Sequence, residues 1–308
     1  MTAVEDTPEL DTAGTLDTAR PEEIRRTAWG RFVVSFKHFL RTQPLGVISA
    51  AIILLLIIAA IFAPLLATHD PSEIGRRSQL DPPSAEHWFG TDELGRDIYS
   101  RVLYGSRISL IVATFTVIVS TILGTLLGAV SGYFVGKVDM VLQRIVDAVM
   151  SIPVLILALF IVALLGSSVR NVVIALAVIF TPRFARIARG EMLRVKNAEY
   201  VAASEALGAK PWRVIRKHGV PNIVAPIIIL ASLTYGQAIV AEAALSFLGV
   251  GAPITEPSWG QILSRAREYL RVAWWFVVFP GGAISLAVLA FNLRGDALRD
   301  HLDPKLVR

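Results

Sequence analysis

Cysteine is absent from the 308-residue chain, which excludes disulfides, thiol nucleophiles and thiolate metal ligands. The chain also lacks a Gly-x-x-x-x-Gly-Lys-Ser/Thr phosphate loop, so it has no usual means of binding ATP. No nucleophile stands beside a candidate base. We expect no metal site either, because metal-ligand spacing is missing among the five histidines, at positions 38, 69, 87, 218 and 301. These absences predict a protein that is not an enzyme and binds no cofactor of its own.

Charged residues are scarce. They make up 18% of the chain against 54% hydrophobic residues, which is too apolar for an ordinary soluble domain of this size. The net charge of +5 does not indicate a nucleic-acid partner, because the basic residues flank apolar stretches instead of forming one basic module. The composition therefore predicts a membrane protein.

Six apolar stretches are long enough to cross a hydrocarbon core of about 30 Å, which takes roughly 20 residues of helix. Only a helix bonds its own backbone groups in lipid without a sheet partner. We therefore predict an all-α polytopic membrane protein whose core is 108–304. The six predicted spans are 45–67, 108–133, 140–165, 169–187, 222–250 and 272–293.

The remaining segments suggest an orientation. Residues 1–24 are acidic and polar, which predicts a disordered cytoplasmic tail and not a signal peptide, since no apolar run follows a basic start. Residues 25–44 alternate aromatic and basic residues and predict an interfacial amphipathic segment. With 68–107 as an extracytoplasmic loop and 305–308 as a short tail, 21 of the 30 lysines and arginines fall on the inner side. This bias predicts that both termini are cytoplasmic.

The segment 188–221 joins the fourth and fifth predicted spans. Small residues and helix formers precede Gly208, which predicts a short helix ended by a glycine in the left-handed conformation. Pro211 can open a second short helix, and Pro221 follows Gly208 by thirteen residues. We expect two small helices with a glycine corner that dock on another protein. Three arginines before them are expected to anchor the fourth span at the headgroups: Arg183, Arg186 and Arg189.

The spacing of Gly208 and Pro221 resembles the EAA loop of binding-protein-dependent ABC importer permeases. The resemblance implies that the short helix is a coupling helix seated in a groove of a cytoplasmic ATPase. This chain has Ala202 where the family has a glutamate, and Glu199 or Glu205, three residues to either side, can replace it. The residues implied to couple the ATPase are Glu199, Tyr200, Val201, Ala202, Ala203, Ser204, Glu205, Ala206, Leu207, Gly208, Ala209, Pro211 and Trp212.

Three further segments, 87–110, 241–251 and 292–304, are similar to the C-type subunit of dipeptide, oligopeptide and nickel importers. The aromatic residues of the first are expected at the membrane interface, with Arg96 and Asp97 on the wet side. The similarity implies the fold of a type I ABC importer permease, with six transmembrane helices. It also implies that the chain forms half of a pore in a prokaryotic cytoplasmic membrane.

The partners implied by this resemblance are a homologous B-type permease, two cytoplasmic ATPases or one fused ATPase, an extracytoplasmic solute-binding protein and membrane lipid. The ATPases would bind ATP and magnesium. Peptides are the expected cargo, with nickel or glutathione as alternatives within the same class. The alternatives from other classes are a secondary transporter driven by an ion gradient and a scaffold without transport. A secondary transporter would need several buried acids to bind the ion, and the sequence shows one.

That acid is Glu242, which lies inside the fifth predicted span, where an ionised side chain is costly. It either faces the translocation path or holds neighbouring helices together by hydrogen bonds. Two pairs of opposite charges stand three residues apart and are expected to form structural ion pairs on a helix face. These pairs are Arg144 with Asp147, and Asp296 with Arg299.

Overall fold

The computed structural model describes residues 44–75, 78–251 and 256–302. The predicted tail at 1–24, the predicted interfacial segment up to residue 43 and the tail at 305–308 lie outside these ranges. Every regular element within them is helical, apart from an isolated bridge between Thr91 and Asp97.

The helices are numbered here in chain order. They are α1 Pro44–Ile61, α2 Ala63–Leu66, α3 Ile98–Tyr133, α4 Lys137–Met150, α5 Val154–Leu165, α6 Val169–Lys196, α7 Glu199–Ala206, α8 Pro211–Val214, α9 Val220–Phe247, α10 Trp259–Ala266 and α11 Trp275–Leu302. A π-helical turn, Ile215–Gly219, joins α8 to α9 without a break. A 3-10 turn, Arg267–Tyr269, follows α10.

Five helical segments in the described part of the chain are long and apolar enough to cross a membrane: α1, α3, α6, the continuous helix from α8 to α9, and α11. The third predicted span, 140–165, is different. It is divided into α4 and α5, which are bent by 93° relative to each other. Pro153 explains the break, because proline has no backbone N–H and disfavours helical backbone at the preceding residue. The predicted third span therefore consists of two helices that meet at a sharp bend.

Helices α3 and α6 pack closely and run in the same direction. Three glycines at four-residue spacing line one face of α3, which lets the backbones approach. Each lies against a backbone carbonyl of α6 that is further along the chain: Gly124 on that of Thr181, Gly128 on that of Ala185 and Gly132 on that of Arg189.

Because α3 and α6 are parallel, the chain between them must return across the bundle. Helices α4 and α5 do this. Asp139 of α4 accepts hydrogen bonds from Arg189, which lies near the end of α6. Ala158 and Val162 of α5 pack in the cluster that contains Val172, which lies near the start of α6. A 14-residue and a 12-residue helix are about 21 and 18 Å long, enough together to cross despite the bend. Counted in this way, the described residues make up to six crossings.

Several helices extend beyond the predicted spans. α3 starts at Ile98 and not at 108, and α6 continues to Lys196 and not only to 187. Hydropathy detects the lipid-exposed part of a helix and misses polar turns that continue it into loops. The polar extension of α6 carries α7 and α8, and a buried cluster around Phe184, Met192 and Ile215 holds that end together.

Candidate functional site

Helices α7 and α8 form the corner expected from the sequence. Gly208 has φ +85°, the left-handed conformation that favours glycine. The amides of Gly208 and Ala209 donate to the carbonyls of Glu205 and Ser204 at 2.9 and 3.1 Å, which is the Schellman arrangement that ends a helix. Pro211 then occupies the first turn of α8. The two helices and the glycine corner are called the loop helices below.

The loop helices are tied to the bundle. The Tyr133 hydroxyl at the end of α3 donates to Glu205 Oε1 at 2.8 Å, and Lys196 Nζ donates to the Tyr133 carbonyl at 2.8 Å. Val201 and Val214 are fully buried in the cluster around Met192. Val201 therefore anchors α7 and is not available to a partner, unlike the exposed residues of the implied coupling set. Burial and hydrogen bonds therefore hold the corner against the bundle.

The opposite side of the loop helices exposes apolar side chains. Leu207 is 90% exposed, Trp212 58% and Tyr200 49%. Alanines lie beside them, and small residues let another surface approach the helix backbone. Apart from Glu205, the exposed residues of the implied coupling set define what we call the docking face: Glu199, Tyr200, Ala202, Ala203, Ala206, Leu207, Gly208, Pro211 and Trp212.

Of the two acids considered as replacements for the missing glutamate, Glu205 is also exposed but already accepts from Tyr133. Glu199 is exposed in the first turn of α7 and forms no ion pair with any described residue. Glu199 is therefore the acid left for a cation on a partner.

The arginines at the end of α6 do more than anchor a helix end. Arg189 donates through Nε and Nη2 to the two carboxylate oxygens of Asp139, both at 2.6 Å, and Ser131 donates to the same carboxylate at 2.5 Å. Arg186 pairs with Asp147 at 2.6 Å, and Arg183 bonds Gln237. These contacts tie α6 to α4 and α9.

The pairing of Arg144 with Asp147 was predicted wrongly, because the Asp147 carboxylate is bound by Arg186 from α6. In the described part of α11, Asp296 and Arg299 are both exposed and form no ion pair within 4.0 Å. Three-residue spacing permits a pair, but a competing guanidinium on another helix, or water, decides whether it forms. The Asp139 and Arg189 pair, fifty residues apart, left no local signal in the sequence.

Glu242 of α9 is 1% exposed and lies among hydroxyl groups. Ser109 of α3 donates to its Oε2 at 2.8 Å and Ser246, one turn along α9, donates to its Oε1 at 2.7 Å. A buried carboxyl is tolerated when its oxygens are satisfied in this way. Of the two roles considered for Glu242, this geometry favours the structural one: it joins α9 to α3.

Replacement of Glu242 tests this assignment. Glu242→Gln keeps an oxygen that can accept from one serine, so we expect an unchanged order of preference among cargoes and a small loss of thermal stability. Glu242→Leu leaves the Ser109 hydroxyl without its acceptor, which costs about 1–3 kcal/mol, and should lower the melting temperature further. A changed cargo preference in Glu242→Gln would instead place the side chain on the translocation path.

The described residues between Thr68 and Asp97 pack onto the end of the bundle opposite the loop helices. Arg107 of α3 binds the Ala60 and Ile61 carbonyls there, and Trp275 Nε1 donates to the Thr91 carbonyl at 3.3 Å. Arg96 and Asp97 are buried inside the folded loop, where protein groups surround their charges. Arg96 Nε donates to Asp92 at 2.7 Å, and Asp97 caps α3. Through these hydrogen bonds, the two charged side chains hold the loop and the start of α3 in place.

The comparisons with known proteins agree with this architecture. Residues 124–308 match the family model described as the inner membrane component of binding-protein-dependent transport systems. The chain belongs to this family. Residues 27–83 match a second model, the N-terminal transmembrane domain of oligopeptide transport permease C. A multi-pass inner membrane permease of an ABC transport system is therefore established, and the ion-driven secondary transporter is disfavoured.

Three relatives are similar over nearly their whole length. A dipeptide transport system permease protein DppC of Alkalihalophilus pseudofirmus is 44% identical, covering 93% of this chain and 94% of the relative. A probable D,D-dipeptide transport system permease protein DdpC of Escherichia coli is 44% identical, covering 93% and 95%. A glutathione transport system permease protein GsiD of Pectobacterium atrosepticum is 41% identical, covering 95% and 96%.

Proposed function

We propose that this chain forms half of the translocation pore of an ATP-driven importer for di- and oligopeptides, and that the docking face on its loop helices binds a separate cytoplasmic ATPase. The observation that carries the proposal is the pairing of a rigid corner with exposed apolar residues, above all Leu207 at 90% exposure. Exposed apolar patches of this kind mark sites where another protein binds.

The path of coupling follows from helix continuity. α8, the π-helical turn and α9 form one uninterrupted helical segment from Pro211 to Phe247. α9 packs against α3, α6 and α11, so a displacement of the docking face by a closing ATPase would move α9 and its neighbours together as a rigid body. The carboxyl of Glu242 would keep α9 and α3 in register during that motion. Alternating access is the proposed result.

The proposed orientation places the loop helices in the cytoplasm. The end of α1 meets α3 at the opposite side of the bundle, so the start of α1 lies on the same side as the loop helices. With six crossings, this orientation would put both termini in the cytoplasm, which the bias of lysine and arginine supports. The segment from Thr68 to Asp97 would face the solute-binding protein.

The proposed complex contains a homologous B-type permease, two ATPases or one fused ATPase that bind ATP and magnesium, and a solute-binding protein. The cargo proposal rests on the relatives, two of which are named for dipeptides and one for glutathione. Glutathione is itself a small peptide, so one pore chemistry can serve both. Nickel remains the alternative cargo outside peptides.

Uptake into proteoliposomes tests the proposed function. The chain would be co-expressed with its partner permease, ATPases and binding protein, and the purified complex would be supplied with labelled dipeptides, oligopeptides, glutathione or nickel. We expect ATP-dependent uptake of peptides, at a rate that rises with added binding protein. Uptake by the chain alone on an imposed ion gradient would contradict the proposal, and ATP-dependent uptake of nickel without peptide uptake would reassign the cargo.

A further inference from the structure

Two histidines that lie eighteen residues apart meet at one carboxylate on the end of the bundle opposite the loop helices. His69 follows the short helix α2, His87 lies in the middle of the segment from Thr68 to Asp97, and Asp97 caps α3. One ligand atom from each of the three lies within 4.8 Å of the others. The sequence analysis found no metal-ligand spacing because the three residues come together only in the fold.

The distances suit a small divalent ion. Nδ1 of His87 is 3.0 Å from Asp97 Oδ1, and Nδ1 of His69 is 4.0 Å from the same oxygen. Nitrogen and oxygen ligands of tetrahedral zinc lie about 2.0–2.2 Å from the metal, which places neighbouring ligand atoms about 3.4 Å apart. The observed separations lie on either side of that value, so an ion could enter with only small movements of the two rings.

The carboxylate is already oriented for such a role. Its other oxygen, Oδ2, accepts from the Ser100 amide at 2.8 Å and from the Ser100 hydroxyl at 2.7 Å. The Thr68 hydroxyl donates to it at 3.4 Å. Oδ1 is thereby turned toward the two imidazoles. Metal-binding carboxylates and histidines are held by hydrogen bonds of this kind from outside the ligand set, which fix the geometry of the site.

The cluster has an open side. The side chain of Asp97 is fully buried and that of His87 is 13% exposed, but that of His69 is 30% exposed. Water can therefore supply a fourth ligand from solvent. Two imidazoles and one carboxylate form a ligand set that suits zinc and other late first-row divalent ions, and not calcium or magnesium, which prefer oxygen ligands.

We propose that His69, His87 and Asp97 bind one late first-row divalent metal ion, with zinc as the reference ion. The ion would join the segment that follows α2 to the first turn of α3 and so stabilise the loop between them. The proposal does not rest on the proposed transport function, since it concerns only the folded chain.

Zinc titration of the purified full-length chain tests the proposal. The chain is prepared in detergent without a polyhistidine tag, stripped with EDTA, and titrated with zinc against a chromophoric chelator. We expect one zinc per chain, no competition from magnesium or calcium, and a tetrahedral visible spectrum when cobalt(II) replaces zinc. His69→Gln and His87→Gln should each weaken zinc binding by roughly 100-fold or more. Asp97→Asn, which keeps an N-cap residue, should weaken it as well.

Two controls remove nearby or unrelated groups. Asp70→Asn changes the residue next to His69. The Asp70 carboxylate accepts two hydrogen bonds from Ser72, which hold the pKa of Asp70 below its ordinary value. His218→Gln removes a histidine at the other end, which contacts Tyr200. Both should bind zinc as the unchanged chain does. The proposal is overturned if the unchanged chain binds no zinc at micromolar concentrations. It is also overturned if the His69 and His87 variants bind zinc as tightly as the unchanged chain does. Melting curves without zinc verify that each variant is folded.

Discussion

Gly208→Asp is expected to abolish substrate-stimulated ATP hydrolysis by the reconstituted importer while the chain still inserts and folds. A Cβ here meets no atom within 4 Å, so the start of a side chain has room. The left-handed backbone, at φ +85°, costs a residue with a Cβ about 1–2 kcal/mol, which shifts the corner without unfolding a bundle held elsewhere. The new charge would also stand next to Leu207, inside the surface that we propose the ATPase covers, where an unpaired charge is costly.

The measurement is the ratio of ATP hydrolysis with and without cargo-loaded binding protein, which should fall to about one in Gly208→Asp. Gly208→Asn introduces a side chain of the same size without charge and tolerates the left-handed conformation, so it should retain part of the stimulation. Gly166→Asp is the matched control. Gly166 has φ +88° and the same open surroundings, but it lies between α5 and α6, away from the loop helices. Normal stimulation in Gly208→Asp, or equal loss in Gly166→Asp, would refute the coupling role.

Gly128→Leu is expected to prevent stable folding, the largest effect on stability that we foresee. A Cβ at this position would overlap the Ala185 carbonyl of α6, and it would lie 2.7 Å from Ala188 Cβ. The obstacle is backbone, so no side-chain rotation can relieve it. Overpacking costs about 1–3 kcal/mol even where neighbours can adjust, and more is expected here because α3 and α6 must separate along their contact.

Size-exclusion profiles and melting temperatures of the chain in detergent would measure this effect. Gly190→Leu provides the control. Gly190 lies in the last third of α6, and a Cβ there meets nothing within 4 Å, so the same substitution changes helix propensity and little else. We expect a monodisperse, folded Gly190→Leu and an aggregated or strongly destabilised Gly128→Leu. Similar melting temperatures for the two would show that the parallel packing of α3 and α6 is looser than the structure indicates.

The sequence predicted the helical membrane class and the loop helices well, for reasons that are local. Hydropathy over about 20 residues reports whether a helix can reside in lipid, whatever its neighbours are. Gly208 and Pro211 specify backbone conformations that follow from their own covalent structure. The same reasoning missed the bend at Pro153, because the apolar pattern continues through it. Pro153 itself is the local signal of the bend, because proline breaks a helix.

The sequence indicated which residues form the loop helices but not which of them are buried. The exposed residues of the docking face follow from the loop pattern, but Val201 shares that pattern and is buried in the cluster around Met192. Whether a residue of a short helix faces a partner or the bundle depends on how the helix is docked. The partner of Asp147 was misjudged for a related reason, since α6 brings Arg186 to it from 39 residues away.

By itself, the sequence of this protein determined a helical membrane chain, its apolar spans and a glycine corner between two short helices. Only the tertiary structure decided that α3 and α6 are parallel and that α4 and α5 together return the chain across the bundle. It also decided that Asp139 pairs with Arg189, that serines donate to Glu242, and that His69, His87 and Asp97 lie close together. The physical reason is distance along the chain. Hydrophobicity and backbone preference act within a few residues, whereas hydrogen bonds and metal ligands depend on which distant side chains the packed helices bring together.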